Sequence, residues 1–411
     1  MDNNALLFSG QGSQYVGMCK SICNNYSIAK HTFEEAGEVL GFDILKLCME
    51  GDMSELSKTE NTQPAILTVS TAMYRTYMSK GRVKPSFFAG HSLGEISALT
   101  CAGAIDFADA VKLVRERGRL MNLAADGNGI MIAVRDIDGE YIEDICRKNS
   151  KKDGIVVISN YNTNKEYVIS GHTNSVKSAA EELKSIGARI NVLKVSGGFH
   201  SPLMNEASDK FKEELKKYKF NDISIPVISN VTALPYKSAT EIADLLPLQM
   251  IIPVYWKNSI EYIINHGVES FIEIGPNIIL KKMVKKISPH VKSFSLDDDD
   301  DVNYLNNEEV LLIIKRCLAN SICMQNYNWD NNQYNAGVVE PYRSVKKRFL
   351  EIKSTTNKKT TIDDVEKALG MLQSVLNTKK VPNDEKNRRT KDIFEGIECK
   401  QILNLQGKNK D

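Results

Sequence analysis

A serine flanked by glycines is the feature of this sequence that most clearly carries chemistry. Residues 90–94 read Gly-His-Ser-Leu-Gly, a G-x-S-x-G pattern with Ser92 at its centre. The apolar run 86–89 before it predicts a buried strand, and the small and apolar residues of 95–104 predict a helix. A strand-to-helix turn this tight has no room for side chains beside the serine. The pattern therefore predicts a nucleophile elbow, with the serine hydroxyl exposed at a helix N-terminus that can stabilise an anion.

A serine nucleophile needs a base, and His200 is the best placed of the six histidines. His31 and His266 lie on predicted amphipathic helices, and the side chain of His91 diverges from that of its neighbour Ser92. His200 lies in a glycine-containing bend between a predicted strand and the start of a helix. A helix N-terminus disfavours imidazolium and keeps the ring neutral, which is the form that a base requires. On this pattern alone, a catalytic histidine and a histidine packed in a loop remain equally open.

Arg117 is a candidate receptor for a negatively charged substrate. The predicted helix 106–125 carries an apolar stripe, and Arg117 lies on its border, whereas Arg115 and Arg119 point away from it. An arginine that faces the interior must be paired, and its planar guanidinium can bind a carboxylate through two hydrogen bonds. An internal salt bridge is the other interpretation, and the helix pattern alone favours it.

Strands and helices alternate around these residues. Before the elbow, the sequence predicts a strand at 5–8, a glycine-rich turn at 9–14 and a helix at 62–78. Later strands are predicted at 226–231, 270–275 and 291–296, and later helices at 201–218, 255–266 and 277–287. Such alternation is typical of a parallel sheet with crossover helices. We therefore expect an α/β-hydrolase-like large domain formed by residues 1–127 and 196–296.

Between the two parts of this domain, residues 128–195 predict a different order of elements. The predicted strands are 129–134, 155–162, 167–171 and 189–195, and the predicted helices are 139–149 and 174–187. This β-α-β-β-α-β order is the ferredoxin-like arrangement. We expect a ferredoxin-like subdomain inserted into the larger domain.

A run of five aspartates at 297–301 predicts a domain boundary. Beyond it, residues 297–411 are expected to form a mostly helical C-terminal extension. Its predicted features are helices at 308–323 and 363–377, an asparagine-rich loop at 326–335, a basic stretch at 342–359 and a polar end.

The composition narrows the class of protein. The 411 residues are 42% apolar and 26% charged, which is typical of a globular enzyme of two or three folded units. A net charge of +1 gives no global attraction to nucleic acid or membrane, and no apolar run approaches the roughly 18 residues of a membrane span. The N-terminus lacks the features of a secretory signal. The eight scattered cysteines have neither zinc-site nor redox spacing, so we expect free thiols in a reducing cytoplasm.

Several motifs together resemble those of the malonyl-CoA:acyl carrier protein transacylases, a family that includes the acyltransferase domains of polyketide synthases. They are Phe8-Ser9-Gly10-Gln11-Gly12-Ser13-Gln14, Gly90-His91-Ser92-Leu93-Gly94-Glu95, Arg117, Gly198-Phe199-His200-Ser201-Pro202 and Gln249. These motifs occur in the family's order and spacing, and the resemblance covers about residues 5–296. The family fold, an α/β-hydrolase-like domain with a ferredoxin-like insert, agrees with the order of elements predicted above.

The resemblance implies the chemistry of the reaction. Ser92 would attack the thioester of malonyl-CoA and hold malonyl as an ester, in ping-pong covalent catalysis. His200 would take the serine proton and later activate the thiol of the carrier's phosphopantetheine arm. The backbone N–H groups of Gln11 and Leu93 would form an oxyanion hole. The resemblance implies neither a metal nor a cofactor, since malonyl-CoA is a substrate.

The resemblance also implies how the substrate is recognised. Arg117 would bind the malonyl carboxylate, and Gln249 would orient His200 through its backbone carbonyl. The family uses a Ser-His dyad, so an acidic triad member is not required. Phe199 matches the form of its loop that selects malonyl over methylmalonyl.

The extension departs from the simplest members of the family. A housekeeping transacylase would end near Leu296, whereas about a quarter of this chain follows. A freestanding acyltransferase with such an extension resembles enzymes that act in trans on polyketide synthases without their own acyltransferase domain. We therefore expect malonyl transfer in the cytoplasm to an acyl carrier protein or a synthase carrier domain. The alternatives are a transacylase of fatty-acid synthesis, a proofreading acyl hydrolase on the same scaffold, and a catalytically idle scaffold.

Basic residues in two regions are candidates for binding the carrier, because carrier proteins are generally acidic. They are Lys281, Lys282, Lys285 and Lys286 on the helix 277–287, and Arg343, Lys346, Lys347, Arg348, Lys353, Lys358 and Lys359 in the basic stretch. For any single lysine, a solvated surface is the simpler interpretation.

Overall fold

Two sheets, one parallel and one antiparallel, organise the N-terminal three quarters of the chain. The computed structural model describes residues 3–79, 84–125, 127–151, 154–354 and 360–394. In chain order its strands are β1 (Asn4–Phe8), β2 (Phe87–Gly90), β3 (Gly129–Arg135), β4 (Val156–Thr163), β5 (Glu166–His172), β6 (Arg189–Val192), β7 (Val227–Ile228), β8 (Ser270–Ile274) and β9 (Lys292–Ser295).

The parallel sheet has the strand order β7-β2-β1-β8-β9. Strands β1 and β8 are buried along their whole length, as expected of central parallel strands covered by helices on both faces. The register pairs Phe8 with Gly90 on one side and with Ile274 on the other. The carboxyl ends of β1, β2 and β8 are therefore level, so the turn after Phe8 and the elbow after Gly90 lie side by side.

Helices connect and cover these strands. They are α1 (Lys20–Asn25), α2 (Ser27–Leu40), α3 (Ile44–Glu50), α4 (Met53–Leu56), α5 (Thr59–Ser79), α6 (Leu93–Cys101), α7 (Phe107–Ala124), α8 (Gly139–Asn149), α9 (Thr173–Ser185), α10 (Asn205–Leu215), α11 (Ala239–Leu248), α12 (Trp256–Asn265) and α13 (Ile279–Ile287). The elbow helix α6 is buried from Leu93 to Thr100, which explains its small and apolar composition.

The antiparallel sheet has the order β4-β5-β3-β6, with α8 and α9 packed against it. Its core includes Ile132, Val134, Ile142, Ile169 and Val176. The predicted fold class is confirmed: a parallel α/β domain, a ferredoxin-like antiparallel sheet and a helical C-terminal part.

After the insert, helix α11 was not predicted, and two predicted elements have different bounds. The predicted helix 201–218 begins as a 3-10 turn, Pro202–Met204, closed by a hydrogen bond from Met204 N to Ser201 O (3.0 Å). The α-helix α10 follows and ends at Leu215. The predicted strand 226–231 is shortened to β7, because the main-chain N–H of Asn230 donates to the Glu95 carboxylate instead of a strand ladder.

Close packing divides the chain into two units. The first comprises Met1–Thr76 with Pro85–Asp298 and contains both sheets, and the second comprises Tyr77–Lys84 with Asp299–Asp411. The finer boundaries at 127/128 and 195/196, and the role of the extension in docking, stay predictions. No helix within the described ranges is long and apolar enough to cross a membrane.

The second unit is helical. Its helices are α14 (Asp299–Cys323), α15 (Asn331–Tyr334), α16 (Glu340–Ser354), α17 (Ile362–Thr378) and α18 (Asn383–Phe394), with a π-helical segment at Asn335–Val339. The core between them contains Ile313, Cys317, Val365, Leu372, Val375 and Ile393.

Two predictions for this unit were wrong in their bounds. The helix predicted at 308–323 starts at Asp299, because aspartates in a first turn interact favourably with the helix dipole. The predicted loop 326–335 contains α15, whose first N–H groups donate to the side chain of Asp330. Lys358, Lys359 and the polar end from residue 395 lie outside the described residues.

Candidate active site

The elbow at Ser92 has the tight geometry that its glycines predict. Ser92 lies between β2 and α6 with a φ of 53°, in the left-handed region that costs a non-glycine residue energy. A Cβ atom on Gly90 would lie 1.9 Å from the carbonyl group of Gly94, and one on Gly94 would lie 2.0 Å from the carbonyl oxygen of Phe8. Both positions therefore require glycine because the backbone approaches so closely.

Asn230 holds the elbow in place and was missed by the sequence analysis. Its Nδ2 donates to Gly90 O (2.7 Å), and its Oδ1 accepts from the main-chain N–H of Ser92 (2.7 Å). Asn230 is fully buried. Its position near the end of the predicted strand 226–231 was the available signal, since strand ends in such sheets meet at one edge.

Ser92 and His200, both predicted from the sequence, lie in direct contact. Ser92 Oγ is 2.7 Å from His200 Nε2, and His200 Nδ1 is 2.6 Å from the main-chain oxygen of Gln249. A carbonyl oxygen only accepts hydrogen bonds, so the ring hydrogen is on Nδ1 and Nε2 is free to accept from the serine. Burial, followed by the positive charge of Arg117, lowers the pKa of His200 to about 3. The imidazole is therefore neutral at physiological pH.

Arg117 is buried beside the serine, at 1% exposure. Its Nη1 donates to Gln63 Oε1 (3.0 Å), and its Nη2 donates to Gln249 Oε1 (2.8 Å) and Ser92 Oγ (3.3 Å). Burial lowers the pKa of Arg117 to about 10, against the opposing effect of Glu95, so the guanidinium stays charged. No described carboxylate lies within ion-pair distance of it, and its Nε has no hydrogen-bond partner among the described residues. The internal salt bridge that the helix pattern favoured is not formed there.

Glu95 lies beneath this arrangement and is fully buried. Its Oε2 accepts from Gln249 Nε2 (2.5 Å) and from the main-chain N–H of Asn230 (3.2 Å), and its Oε1 accepts from the Tyr236 hydroxyl. Burial raises the pKa of Glu95 to about 7. The sequence placed Glu95 in a motif but gave no sign of these partners, which come from distant parts of the chain.

A cleft of about 300 Å³ opens over Ser92. Gln11 and Leu93 line it, and neither main-chain N–H donates a hydrogen bond to another described residue. Phe199, which is 4% exposed, forms part of the apolar wall with Met121 and Met131. Every sequence-predicted site residue except Gln249 lines this cleft. Gln249 lies behind it, where it contacts both Ser92 and His200.

This arrangement can transfer an acyl group. It combines a serine hydroxyl, a neutral imidazole that accepts from it, a buried cation and main-chain N–H groups free to bind an oxyanion. Among the described residues, there is no cluster of three or more His, Cys, Asp or Glu side chains that could hold a metal ion.

Comparisons with known proteins agree with this chemistry. The sequence profile of the acyl transferase domain matches residues 5–296. A malonyl CoA-acyl carrier protein transacylase from Bacillus subtilis is 38% identical over 400 residues, which cover 94% of this chain and 99% of the relative. The chain belongs to the malonyl-CoA:acyl carrier protein transacylase family. It is therefore an enzyme, an acyltransferase.

Other transacylases match about three quarters of the chain. One from Bacillus subtilis strain 168 is 41% identical over 304 residues, covering 74% of this chain and 96% of the relative. A solved malonyl-transacylase in complex with the holo acyl carrier protein of a type II polyketide synthase has a TM-score of 0.71 and 38% identity. That match covers 72% of this chain and 96% of the other. The match to the first Bacillus subtilis relative therefore extends into the C-terminal unit, whereas each of the other two matches leaves about a quarter of this chain uncovered.

Proposed function

We propose that this transacylase moves malonyl from malonyl-CoA to the phosphopantetheine thiol of an acyl carrier protein by way of a malonyl ester on Ser92. In the first half-reaction, Ser92 Oγ attacks the thioester carbonyl while His200 Nε2 takes the hydroxyl proton. The C–S bond then breaks, and the coenzyme A thiolate leaves as a thiol with the proton held by His200. The 2.7 Å contact between Ser92 Oγ and His200 Nε2 supports this assignment.

The second half-reaction reverses these steps with a different thiol. His200 Nε2 takes the proton of the carrier's thiol, whose sulfur attacks the malonyl ester. The Ser92 oxygen leaves and recovers its proton from His200. In both halves, the N–H groups of Gln11 and Leu93 would stabilise the tetrahedral oxyanion, as their position in the cleft beside Ser92 suggests.

The buried guanidinium of Arg117 is the observation that carries the proposal of an acidic acyl group. It contacts Ser92 Oγ at 3.3 Å and has an unused Nε–H donor within the described part of the chain. A buried cation without a carboxylate partner is costly unless a substrate supplies one. The carboxylate of a malonyl group on Ser92 would do so through charge-assisted hydrogen bonds. Phe199 would limit the space near the acyl chain and favour malonyl over methylmalonyl.

We also propose that the carrier belongs to a polyketide synthase whose modules lack their own acyltransferase, and that transfer occurs in trans in the cytoplasm. Support comes from the length of the matches: the match to one Bacillus subtilis relative covers 94% of this chain and so extends into the C-terminal unit, whereas the relative from strain 168 matches over 304 residues. A short and a long transacylase in one species fit a division of labour between carriers. Buried free cysteines such as Cys19, Cys48 and Cys317 fit a reducing compartment.

Intact-mass spectrometry on the full chain tests both the malonyl ester on Ser92 and its transfer to a carrier. Brief mixing with malonyl-CoA should give a malonyl adduct that is absent from Ser92→Ala and disappears when a holo carrier is added. An adduct that persists in Ser92→Ala would refute the assignment of the nucleophile. Rapid release of free malonate without a carrier would identify a hydrolase instead.

A comparison of two carriers as malonyl acceptors tests the proposed pathway. The preloaded enzyme is mixed with a carrier domain from a synthase module without an acyltransferase, or with the acyl carrier protein of Escherichia coli fatty-acid synthesis. We expect a higher kcat/KM for the synthase carrier. A clear preference for the fatty-acid carrier would overturn the pathway and leave the chemistry standing.

A further inference from the structure

Helix α16 of the second unit has two faces of opposite character. Val345 and Ile352 are buried in the core of this unit, and Tyr342 and Phe349 pack against that core. The same inner face holds Arg348, whose Nε and Nη2 donate to the carboxylate oxygens of the nearly buried Asp364 (2.7 and 3.1 Å). Packing and this bidentate ion pair fix the helix on its inner side.

The opposite side of the helix, here called the α16 outer face, is exposed and basic. It consists of Arg343, Lys346, Lys347, Leu350 and Lys353, which the helical repeat places on one side. All five residues are exposed, and Leu350 is exposed by 52% among these cations.

The cations of the α16 outer face lack acidic partners in the described part of the chain. Lys346 lies over the ring of Tyr342 at 5.7 Å, and Arg343, Lys347 and Lys353 have no ion pair there. Some exposed lysines on other helices are paired, as in Lys367 with Asp363 at 2.6 Å. The basic stretch 342–359 contains a single acid, Glu351, in a chain whose net charge is only +1. The positive charge is therefore concentrated locally and left uncompensated.

We propose that the α16 outer face is a docking surface for the acyl carrier protein, an inference that rests on the proposed function. A ring of cations around one exposed leucine complements an acidic protein surface that carries an apolar residue. The family's reaction supplies such a partner in the generally acidic carrier. The α16 outer face lies in the C-terminal unit, into which the match to the Bacillus subtilis relative of 400 matched residues extends. The relative from strain 168 matches over 304 residues.

The physical consequence is a faster encounter between enzyme and carrier. Unpaired surface cations attract an acidic partner over distances comparable to the Debye length, about 8–10 Å at physiological salt. Such attraction changes the association rate more than the chemistry, and salt weakens it. Loading of Ser92 from malonyl-CoA does not involve the carrier, so the surface should leave that half-reaction unchanged.

The test compares two full-length double variants with the same change in charge. Arg343→Glu with Lys347→Glu reverses two charges of the α16 outer face. Lys315→Glu with Lys391→Glu reverses two exposed lysines on α14 and α18, outside that face, as the matched control. Two rates are measured at low and high salt: malonylation of Ser92 by malonyl-CoA, and transfer from the preloaded enzyme to each of the two carriers named above.

We expect the outer-face variant to lose about tenfold in kcat/KM for one or both carriers at low salt, with normal loading and a smaller loss at high salt. The control should transfer as wild type does. Unchanged transfer, or an equal loss in both variants, would overturn the docking surface while the proposed function stands. Failure of the wild-type enzyme to load malonyl would instead overturn the proposed function.

Two further results would also overturn the docking proposal. An oligomeric state that differs between the outer-face variant and wild type, in sedimentation at matched concentration, would identify an interface between copies of this chain. A loss of transfer in the outer-face variant that does not depend on salt would indicate damage to the helix rather than lost electrostatic attraction. As a third variant, Leu350→Ser tests the apolar centre, and it should weaken transfer without the salt dependence of the charge reversals.

Discussion

The Nδ1 atom of His200 lies 2.6 Å from the main-chain oxygen of Gln249. A backbone carbonyl thus takes the orienting place that a carboxylate has in Ser-His-Asp triads. The side chain of the same residue donates to Ser92 O (2.9 Å) and accepts from Arg117 Nη2 (2.8 Å). Gln249 therefore contacts His200, the proposed base, through its backbone. It contacts Arg117, the proposed receptor of the malonyl carboxylate, through its side chain. A mutation of the side chain can separate the two contacts.

Gln249→Ala should remove the side-chain hydrogen bond to Arg117 and leave the backbone contact that orients His200. The carbonyl that holds His200 remains, so labelling of Ser92 by a serine-directed phosphonate should stay within a few-fold of wild type. Arg117 and Glu95 lose a buried partner, which costs about 1–3 kcal/mol, so malonyl loading should fall by roughly tenfold or more. Equal loss of labelling and loading would mean that the side chain only supports the fold of the loop.

Arg117→Ala should change the selectivity of the enzyme for acyl groups. Loss of a desolvated charge pair with the malonyl carboxylate should weaken malonyl transfer by roughly 2–5 kcal/mol. Acetyl-CoA has no carboxylate, so its transfer should fall little or rise. The measurement is kcat/KM for the two thioesters in wild type and variant. Equal losses for both thioesters would mean that Arg117 has a structural role only.

Glu95→Gln should change how stability depends on pH. Burial raises the pKa of Glu95 from 4.5 to about 7, so the folded state favours the protonated acid. The stability that this preference contributes is fully present below pH 4.5 and is lost as pH rises through 7. A glutamine mimics the neutral acid and does not titrate. The free energy of unfolding of the variant should therefore rise relative to that of wild type as pH increases from 4.5 through 7.

At 1.36 kcal/mol for each pKa unit, the shift in the pKa of Glu95 corresponds to a relative gain in the stability of the variant of about 3 kcal/mol. Denaturant unfolding at several pH values measures it. His200 and Glu273, whose pKa values are also shifted, titrate in both proteins and cancel in the difference. Parallel stability curves for wild type and Glu95→Gln would show that Glu95 is ionised in the folded enzyme.

Gly94→Ala should disrupt the elbow. The new Cβ would lie 2.0 Å from the carbonyl oxygen of Phe8, so α6 or β1 would have to shift. We expect a loss of about 3 kcal/mol or more in the free energy of unfolding, together with loss of phosphonate labelling. Gly370→Ala is the control, because an added Cβ on that helical glycine meets nothing within 4 Å. It should stabilise the chain by about 0.5–1 kcal/mol, and the elbow assignment fails if both variants behave alike.

Local patterns predicted most of the elements, because hydrophobic periodicity depends on neighbours in sequence. The predicted helix at 139–149 coincides with α8, and the G-x-S-x-G pattern marked the turn at Ser92. One error arose where a distant residue competes for the backbone. Strand β7 ends early because Asn230 donates to Glu95, a residue far away in the chain.

The sequence by itself predicted the fold class, the family and seven site residues, six of which line the cleft, since the motifs and the order of the elements are local properties of the chain. Only the tertiary structure shows which partners His200 and Arg117 have. It brings Ser92 within 2.7 Å of His200, although 108 positions separate them, and it surrounds Arg117 with amides rather than a carboxylate. The buried set of Glu95, Asn230 and Tyr236 was likewise visible only in three dimensions. Hydrogen bonds between distant segments depend on how strands align at the edge of the sheet, and a one-dimensional pattern contains no such distances.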